Sequence, residues 1–408
     1  MIYDVKSPVR LNPKLQLLDL YPLEKLDRLF KGVVPSSRLK PIDLSVGEPK
    51  HSIPQCIRDA LSSGLDGLAR YPSTIGSDSL RQAIADWLKR RHHIALISPA
   101  TEVIATLGNR EALFSLAQAV LDGSRRDGLV VCPNPFYPIY EGAALLAGLR
   151  PYFMNLLPTT RFHFDWDTVP EAVWRRVQLV FTCSPSNPSG AVMTLDEWRQ
   201  LFALSDQYGF IIASDECYTE IYFDEADPPL GALAAAAQLG RHGFPRLVVL
   251  GSLSKRSNVP GMRSGFAAGD ASILREFTRY RLYHGSAMGG AIQAASEAAW
   301  KDEAHVRENR RWYREKVDLF YDIVNPVLPL EKPEASFYYW VATPMDDRDF
   351  AVRLRQEMNV TVLPGRLLAR DAHGTNPGER YVRIALVPSV GESTEAAQRI
   401  RRFVEKMG

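Results

Sequence analysis

Residues 247–263, which read LVVLGSLSKRSNVPGMR, decide the fold of this chain. The apolar run that opens this stretch predicts a buried strand, and Lys255 follows the strand directly. Desolvation and nearby positive charge lower the pKa of a lysine in such a place, so its neutral amine can attack an aldehyde. The stretch therefore predicts a Schiff-base lysine, beside which Ser252, Ser254 and Arg263 are candidates to hold a phosphate.

Short apolar runs alternate with helical patterns on both sides of this stretch. The alternation is typical of parallel strands joined by crossover helices, so we predict an α/β fold with a mostly parallel sheet between helices. Helices are predicted over 79–91 and after Asn109. The runs predicted as buried strands are 129–132, 179–183, 210–214, 247–250 and 266–268. Because ligands in such sheets bind beyond the carboxyl ends of the strands, Asn187, Asp215 and Lys255 are placed to meet one.

The pattern changes after about residue 285. A long charged helix is predicted over 297–323, followed by three prolines and a strand over 337–341. We therefore predict three regions. They are an N-terminal arm over 1–45 that packs on the small domain or a partner subunit, a large domain over 46–290, and a small α+β domain over 291–408.

Composition excludes several classes of partner. The chain has 408 residues and a formal net charge of +2, so neither nucleic acid nor an anionic membrane surface is expected. Its four cysteines are widely spaced without zinc-ligand spacing, so we predict reduced core thiols and no metal. The opening residues lack the apolar core of a signal peptide, and no apolar run reaches membrane-spanning length. We expect a cytoplasmic protein.

Two further segments carry side chains suited to a pyridoxal cofactor. Asp215 ends a predicted strand, and a carboxylate there can keep the pyridine nitrogen protonated so that the ring acts as an electron sink. Tyr218, three residues on, can hydrogen-bond the ring oxygen. The stiff loop 184–190, which reads SPSNPSG, can hold the amide of Asn187 against the same oxygen.

The segment 107–113, which reads LGNREAL, predicts a strand-to-helix turn. Gly108 lets the backbone approach a ligand closely, and the N-H groups of the helix that starts at Asn109 and Arg110 can bind a phosphate. Tyr137 is a candidate to stack on the cofactor ring. Taken alone, each of these residues has a simpler explanation as a turn former, a helix cap, a core aromatic or a surface lysine.

Their joint order is specific. From about Leu44 to the C-terminus the chain resembles the class I/II aminotransferases of pyridoxal-phosphate fold type I. The resemblance implies a large domain with a mostly parallel seven-stranded sheet between helices and a smaller α+β domain. The resemblance implies that Lys255 holds pyridoxal 5′-phosphate as an internal aldimine and acts as general base. It implies that Asp215 pairs with the pyridine nitrogen, that Asn187 and Tyr218 hold the ring oxygen, and that Tyr137 stacks on the ring. The implied phosphate-side positions are Gly108, Asn109, Arg110, Ser252, Ser254 and Arg263.

The resemblance also implies how a substrate and a partner subunit are bound. Arg383 matches the arginine for the substrate α-carboxylate, and Gly47 matches the backbone donor to the same carboxylate, with Asn187 close by. Tyr71 matches the tyrosine that such enzymes lend to the neighbouring phosphate. We therefore expect a homodimer with shared active sites and small amino and keto acids as substrates.

Within the family, the chain is most similar to the bacterial N-succinyldiaminopimelate aminotransferases of lysine biosynthesis. The similarity rests on the stretches 11–15, 21–26, 47–51, 251–270, 283–288 and 302–310. It implies ping-pong transfer between N-succinyl-L,L-diaminopimelate and 2-oxoglutarate. Arg366 departs from the pattern of that subgroup, and we hypothesise that Arg366, Lys50 or His51 meets a distal carboxylate.

Other functions stay open at this stage. An aminotransferase for aspartate, aromatic amino acids or acetylornithine would keep the same cofactor residues, as would a carbon-sulfur lyase on this scaffold. A pyridoxal-dependent transcription regulator would need an added DNA-binding domain. Fewer than about fifty residues precede the first motif, which disfavours this function.

Overall fold

A seven-stranded sheet forms the centre of the larger part of the molecule. The structure is a computed structural model that describes residues 11–407. Its strands in chain order are β1 Ile42–Asp43, β2 Val103–Thr106, β3 Leu129–Asn134, β4 Arg150–Asn155, β5 Val177–Cys183, β6 Ile211–Asp215, β7 Leu247–Ser252, β8 Gly265–Gly269, β9 Tyr338–Ala342, β10 Val360–Thr361, β11 Leu363–Pro364 and β12 Tyr381–Ala385. The large sheet has the order β2-β8-β7-β6-β5-β3-β4, and all its pairings are parallel except the two made by β8. The α/β prediction is confirmed.

Helices cover both faces of this sheet and also surround the smaller sheets of the described chain. They are α1 Pro22–Leu29, α2 Gln55–Ser63, α3 Asp78–His92, α4 Asn109–Val120, α5 Ile139–Ala147, α6 Glu171–Trp174, α7 Leu195–Tyr208, α8 Ala232–Gln238, α9 Leu253–Arg256, α10 Ala271–His284, α11 Gly290–Lys301, α12 Ala304–Val324, α13 Asp347–Met358 and α14 Val390–Glu405. Short 3-10 helices cover Pro13–Leu17, Leu65–Ala69, Pro158–Thr160, Trp166–Thr168, Pro260–Met262 and Gly365–Leu368. Over residues 11–407 no helix has both the length and the apolar character needed to cross a bilayer.

The central strands are buried on both faces, which explains their continuous apolar runs. In β7, Val249 packs into the core cluster on one face of the sheet, whereas Val248 and Leu250 pack into the cluster on the other face. Because β3, β5, β6 and β7 are parallel, their carboxyl ends lie at one edge of the sheet. The polar segments that follow these strands therefore meet there.

The C-terminal part has a separate core built from both ends of the chain. The antiparallel sheet β11-β12-β9 packs with α12, α13 and α14, and β1 pairs in parallel with β10. Leu26 and Phe30 of α1, together with Ile42 of β1, are buried in this core. Helix α1 and strand β1 thus pack on the C-terminal part of the same chain, whereas the 3-10 helix Pro13–Leu17 contacts α5.

The long helix predicted over 297–323 is wrong in one respect, because the structure has two helices there, α11 and α12. The chain turns to an extended conformation at Asp302, whose carboxylate accepts a hydrogen bond from the backbone N-H of His305. A side-chain acceptor at this place satisfies an N-H group in the first turn of α12. Helix α11 packs on α2 and α3 of the large-sheet part. We therefore propose to move the boundary predicted at 290/291 to Asp302, and to keep the one at 45/46.

Candidate active site

A cavity of about 530 Å³ lies between the carboxyl ends of the central strands and the C-terminal part. Its lining comes from two sources, which we name the floor and the wall. The floor consists of side chains carried by the large-sheet part: Asn109, Asp215, Ser252, Ser254, Lys255 and Arg263. The wall consists of residues from the N-terminal segment and the C-terminal part: Tyr21, Gly47, Tyr338, Leu368 and Arg383.

Lys255 lies in the short helix α9, directly after β7, as the sequence predicts. Its ammonium group donates a hydrogen bond to the backbone carbonyl of Gly47. Burial lowers the pKa of Lys255, and the guanidinium groups of Arg383 and Arg263 lower it further, against the opposing effect of Cys217 and Glu48. The geometry therefore favours the neutral amine that nucleophilic attack requires.

Asp215 lies at the end of β6 with only 4% of its surface exposed. One carboxylate oxygen accepts a hydrogen bond of 2.7 Å from the Asn109 amide, and the other accepts one of 2.9 Å from the Tyr140 hydroxyl. Burial raises the pKa of Asp215, whereas these two hydrogen bonds and the charge of Lys255 act to lower it. A cation placed against this carboxylate would offset the cost of burying it.

The floor also has a group of phosphate-type donors. The hydroxyls of Ser252 and Ser254 and the guanidinium of Arg263 line the cavity, and α4 begins at the same place. Gly108 precedes α4 with a φ of +80°, and a Cβ atom there would lie 2.8 Å from an Nη atom of Arg263. The glycine thus keeps space open between the guanidinium and the N-terminus of the helix.

Asn187 and Arg383 contact each other in the lining of the cavity. The Asn187 carbonyl oxygen accepts a hydrogen bond of 2.8 Å from Arg383, and the backbone carbonyl of Ser45 accepts another of 2.7 Å. The bonds Ser184–Pro185 and Asn187–Pro188 in the loop before them are cis. These contacts orient the guanidinium without neutralising it, so it stays able to bind an anion.

Tyr218 follows β6 and is buried at the cavity. Its hydroxyl is 3.0 Å from the hydroxyl of Tyr338 on β9. The Tyr338 hydroxyl also fills the space beside Gly47, where any Cβ atom would overlap it. Gly47 is therefore required for Tyr338 to reach Tyr218.

Arg110 and Tyr137 lie together at the exposed edge of the cavity. Arg110 donates a hydrogen bond of 2.7 Å to the Tyr137 hydroxyl and one of 3.2 Å to the Tyr21 hydroxyl. The prediction of Arg110 as a phosphate-side position thus applies only to its backbone N-H, because its side chain points to the two phenols. Similarly, the side-chain amide of Asn109 binds Asp215, which leaves its backbone N-H for a phosphate.

Among the predicted site residues, Tyr71 is the one whose side chain does not pack against any of residues 11–407. It is fully exposed, and it is not among the residues that line the cavity. Leu65, Leu68, Leu282 and Tyr283 are exposed as well. The predicted role of Tyr71 in a neighbouring subunit stays a prediction.

The hypothesis that Arg366 meets a distal carboxylate is wrong for this cavity. Arg366 forms ion pairs with Asp346, Asp347 and Glu379 in the C-terminal part and does not line the cavity. Three carboxylates already satisfy its guanidinium, so little attraction is left for a substrate.

His51 and Lys50 do not line the cavity either. The two ring nitrogens of His51 lie 2.7 Å from the Asn309 carbonyl oxygen and 2.9 Å from the Lys316 ammonium group. Asn309 in turn donates a hydrogen bond of 3.1 Å to the backbone carbonyl of Lys255. Lys50 is exposed. His51 therefore belongs to a buried polar network behind the wall.

Sequence reasoning missed several residues that line or support the cavity. Tyr140 lies in the first turn of α5, and its ring centroid is 5.9 Å from that of Tyr137, which precedes the helix, so no helical spacing marks it. Tyr338 lies in a predicted strand but carries no motif. Tyr21 and the two cysteines Cys183 and Cys217 line the cavity without any local signal.

One group of potential metal ligands occurs among the described residues, away from the cavity lining. Cys56, Asp302 and His305 have donor atoms within 4.8 Å of one another. Both ring nitrogens of His305 already have protein partners, the carboxylate of Asp302 and the hydroxyl of Ser257. Burial raises the pKa of the Cys56 thiol, which opposes thiolate binding to a metal.

Comparison with known proteins agrees with this geometry. The family model for aminotransferase class I and II matches residues 40–400. An LL-diaminopimelate aminotransferase from Syntrophobacter fumaroxidans is 32% identical over 96% of this chain and 98% of its own length. One from Aquifex aeolicus is 30% identical over 96% and 98% of the two chains.

Solved structures of similar proteins have the same fold. An aminotransferase from Neisseria meningitidis is 50% identical, with a TM-score of 0.93 over 96% of this chain and all of its own. The aminotransferase AspB from Helicobacter pylori is 35% identical, with a TM-score of 0.88 over 95% and 99% of the chains. The chain belongs to the class I and II aminotransferases. It is a pyridoxal-phosphate-dependent enzyme of fold type I, so the resemblance and the predicted cofactor are both confirmed.

The cavity fits pyridoxal 5′-phosphate. The buried carboxylate of Asp215 suits a protonated pyridine nitrogen, because it lacks a cationic partner in direct contact. The gap at Gly108, next to Arg263, Ser252 and Ser254, suits a phosphate dianion. Lys255 lines the same cavity, where its amine is held by a hydrogen bond to the Gly47 carbonyl.

Proposed function

We propose that the protein transfers an amino group between a donor of the diaminopimelate type and 2-oxoglutarate, with N-succinyl-L,L-diaminopimelate as the first candidate donor. One observation carries the proposal. Arg110, Arg263 and Arg383 all line the cavity, and among residues 11–407 none of them forms an ion pair with a carboxylate. A cofactor phosphate and the α-carboxylate account for two of these cations, so a donor with a further carboxylate would use the third.

Lys255 is the proposed catalytic base. Its amine would hold the cofactor through the aldehyde carbon and, when released, would move the proton at the substrate Cα. Bound pyridoxal phosphate supplies an electron sink for the electrons left at that carbon. Burial lowers the pKa of Lys255, which favours the unprotonated amine that both tasks need.

In this proposal the cofactor is held by the other floor residues together with further residues in and beside the cavity lining. Asp215 binds the pyridine nitrogen, and Tyr218 and Asn187 donate to the ring oxygen. Tyr137 stacks on the ring. The phosphate is bound by the hydroxyls and guanidinium of the floor and by the backbone at the start of α4, through Ser252, Ser254, Arg263, Gly108, Asn109 and Arg110.

Recognition of the amino acid falls to the wall. Arg383 binds the α-carboxylate, with Gly47 and Asn187 beside it. Arg110 is exposed at the opposite edge with only phenol partners, so we assign it to the far carboxylate of the donor. The second candidate donor is LL-diaminopimelate itself, which the names of the relatives from Syntrophobacter fumaroxidans and Aquifex aeolicus favour.

A donor panel tests the substrate. The purified holoenzyme is assayed for glutamate formation from 2-oxoglutarate with N-succinyl-L,L-diaminopimelate, LL-diaminopimelate, acetylornithine, aspartate and aromatic amino acids. We expect the highest kcat/KM with the first donor. A higher kcat/KM with LL-diaminopimelate would favour the second candidate, and a preference for an aromatic amino acid, whose one carboxylate is beside the transferred amine, would contradict the role of Arg110. Release of pyruvate and ammonia from a cysteine-type substrate would instead indicate a carbon-sulfur lyase.

Variants of Arg110 sharpen the test. Arg110→Met should lower kcat/KM about 10- to 100-fold for a donor with a further carboxylate, the usual effect of losing one hydrogen-bonded charge pair. The same variant should change kcat/KM for phenylalanine, which has no far carboxylate, less than about threefold, on the same reasoning. Arg366→Met is the matched control, because its guanidinium is already neutralised outside the cavity. Equal losses for both donors would exclude a contact with the far carboxylate.

We also propose that the enzyme is a homodimer in which Tyr71 reaches the phosphate site of the partner subunit. Like Tyr71, the side chains of Leu65, Leu68, Leu282 and Tyr283 are exposed, and exposed apolar side chains support a contact surface for a partner. Light scattering should give twice the chain mass of 45.7 kDa. A monomer with full activity would exclude shared active sites. The cytoplasmic location stays a prediction.

A further inference from the structure

Tyr338 is the residue that connects the floor and the wall most directly. It lies in β9, two positions from the strand partner of Arg383, and only 2% of its surface is exposed. Neither its position in the sequence nor its strand context marks it as functional. Three of the proposed site residues nevertheless contact its side chain.

The first contact is with Arg383. The central carbon of the guanidinium lies 4.4 Å from the centre of the Tyr338 ring, which is the geometry of a cation-π pair. Arg383 is held in its plane by Asn187 and Ser45 and on its face by this ring. The ring thus limits movement of the guanidinium perpendicular to its own plane.

The second contact is with Tyr218. The two rings meet edge to face with centroids 5.4 Å apart, and the two hydroxyl oxygens are 3.0 Å apart. Burial raises the pKa of both phenols, so each keeps its proton and can donate one hydrogen bond. If Tyr218 donates to a ligand, its oxygen is free to accept from Tyr338.

The third contact is with Gly47. The absence of a side chain at Gly47 leaves room for the Tyr338 hydroxyl, and the Gly47 carbonyl accepts a hydrogen bond from Lys255. One phenol therefore touches the lysine-binding backbone, the ring-oxygen donor and the carboxylate arginine.

We propose that Tyr338 is a positioning residue that polarises Tyr218 through its hydroxyl and orients Arg383 through its ring. The inference rests on the proposed roles of Tyr218 and Arg383. By donating to the Tyr218 oxygen, Tyr338 makes Tyr218 a stronger donor to the cofactor ring oxygen, since hydrogen bonds in a chain strengthen one another. The hydroxyl and the ring of Tyr338 thus serve two different parts of the site.

The hydroxyl is tested with Tyr338→Phe in the holoenzyme. A donor on the ring oxygen makes the bound chromophore harder to protonate and so lowers the pH midpoint of its visible absorption band. Tyr338→Phe should raise this midpoint by about 0.3 pH units, a fraction of the shift of about one unit expected for Tyr218→Phe. The titration is followed by absorbance without substrate, so it does not depend on turnover.

The ring is tested with Tyr338→Leu. This variant should raise the KM for 2-oxoglutarate about 3- to 10-fold, the effect of one lost cation-π pair, with a smaller change in kcat. Tyr338→Phe keeps the ring and should leave KM within about twofold of the wild-type value on the same ground. If Tyr338→Leu does not fold, the shifted midpoint and unshifted KM of Tyr338→Phe still test the division of roles.

Tyr339→Phe is the matched control. Tyr339 is the next residue of β9, is equally buried at 1% exposure, and donates a hydrogen bond of 2.9 Å to the backbone carbonyl of Val317, outside the cavity. It should lower the melting temperature like Tyr338→Phe but leave both midpoint and KM unchanged.

The outcomes separate this inference from the proposed function. A shifted midpoint in Tyr218→Phe without one in Tyr338→Phe overturns the role of Tyr338 and leaves that of Tyr218 intact. No shift in either variant contradicts the proposed role of Tyr218 as well. An equal shift in Tyr339→Phe, or an unchanged KM in a folded Tyr338→Leu, also overturns the inference.

Discussion

The floor and the wall of the cavity are built in different ways. Each floor residue lies within three positions of one end of a strand of the large sheet, and Asp215 is fixed by two hydrogen bonds from side chains of the same part. The wall residues come from both ends of the chain, and Arg383 is held by Ser45 and Asn187, which are distant in sequence. In the proposed function, the residues that take part in the reaction are therefore carried by the large sheet. Substrate recognition depends on how the N-terminal segment and the C-terminal part pack on that sheet.

The largest effect should come from Lys255→Ala on the floor. Without the amine, the cofactor has no covalent attachment and the substrate Cα has no base, so turnover should fall by at least about 10³-fold. Absorbance should show no covalent chromophore, and borohydride treatment should add no mass at residue 255. Lys50→Ala, an exposed lysine outside the cavity, should behave as wild type. Full activity of Lys255→Ala would exclude its proposed role.

Asp215→Asn should have the second-largest effect. A neutral amide cannot stabilise a protonated pyridine nitrogen, so kcat should fall at least about 100-fold, the typical loss of one preorganised electrostatic contact. The control is Glu216→Gln, the adjacent buried acid, which does not line the cavity. It should cost stability but change kcat less than about threefold, because it touches no reacting group. Similar kcat losses in both variants would show a folding defect and not a floor-specific role.

Arg383→Lys tests the wall. A lysine cannot make the two parallel hydrogen bonds of a guanidinium to a carboxylate, so the KM of both amino and keto acids should rise about 10- to 100-fold. The chromophore midpoint should move much less than in the floor variants. The exposed neighbour Arg380 provides the control Arg380→Lys. A loss confined to kcat would place Arg383 with the floor and break the division.

Tyr140→Phe should have a smaller effect, of about tenfold in kcat, because it removes one hydrogen bond to a charged group. The ring stays stacked on Phe181, where the centroids are 4.7 Å apart, so packing is preserved. The expected KM is that of the wild type, measured with 2-oxoglutarate. A raised KM with normal kcat would show that Tyr140 affects substrate binding by the wall residues.

The smallest effect concerns Lys316, which lies behind the wall and donates a hydrogen bond of 3.0 Å to the backbone carbonyl of Pro388. Burial lowers the pKa of Lys316 from 10.5 to about 7. Between these two pH values the unfolded chain holds more protons, so this lysine makes the wild type more stable as pH rises. Lys316→Met lacks that gain, and its melting temperature should fall further below the wild-type value at pH 9 than at pH 7.

Calorimetry at several pH values measures this difference. Lys332→Met is the control, because that lysine is about half exposed, with 45% of its side chain accessible, and pairs with Asp318 at the surface. A constant difference between Lys316→Met and the wild type from pH 7 to pH 9 would contradict the lowered pKa of Lys316.

The floor could be predicted from the sequence because short-range rules place it. A buried apolar run ends at a defined edge, and the residues after it, such as Asp215 and Lys255, must lie there. The helix boundary at Asp302 escaped prediction because a single side-chain acceptor decides it against the helical pattern on both sides.

The wall resisted prediction for a different reason. Tyr338 acquires its contacts only when β9 lies beside β12 and Gly47 lies against it, and no local pattern encodes that meeting. Arg366 shows the converse, because its charge suggests a ligand site until the three carboxylates around it are known. Long-range packing decides both cases.

The pairing of β1 with β10 has a consequence for biosynthesis. Residues 42–43 emerge early from the ribosome, but their strand partner at residues 360–361 is translated near the end. Translation adds about 5 to 20 residues per second, so the first segment waits on the order of tens of seconds for its neighbour. A nascent chain therefore completes the core that joins its two ends only after every strand of the large sheet has been translated.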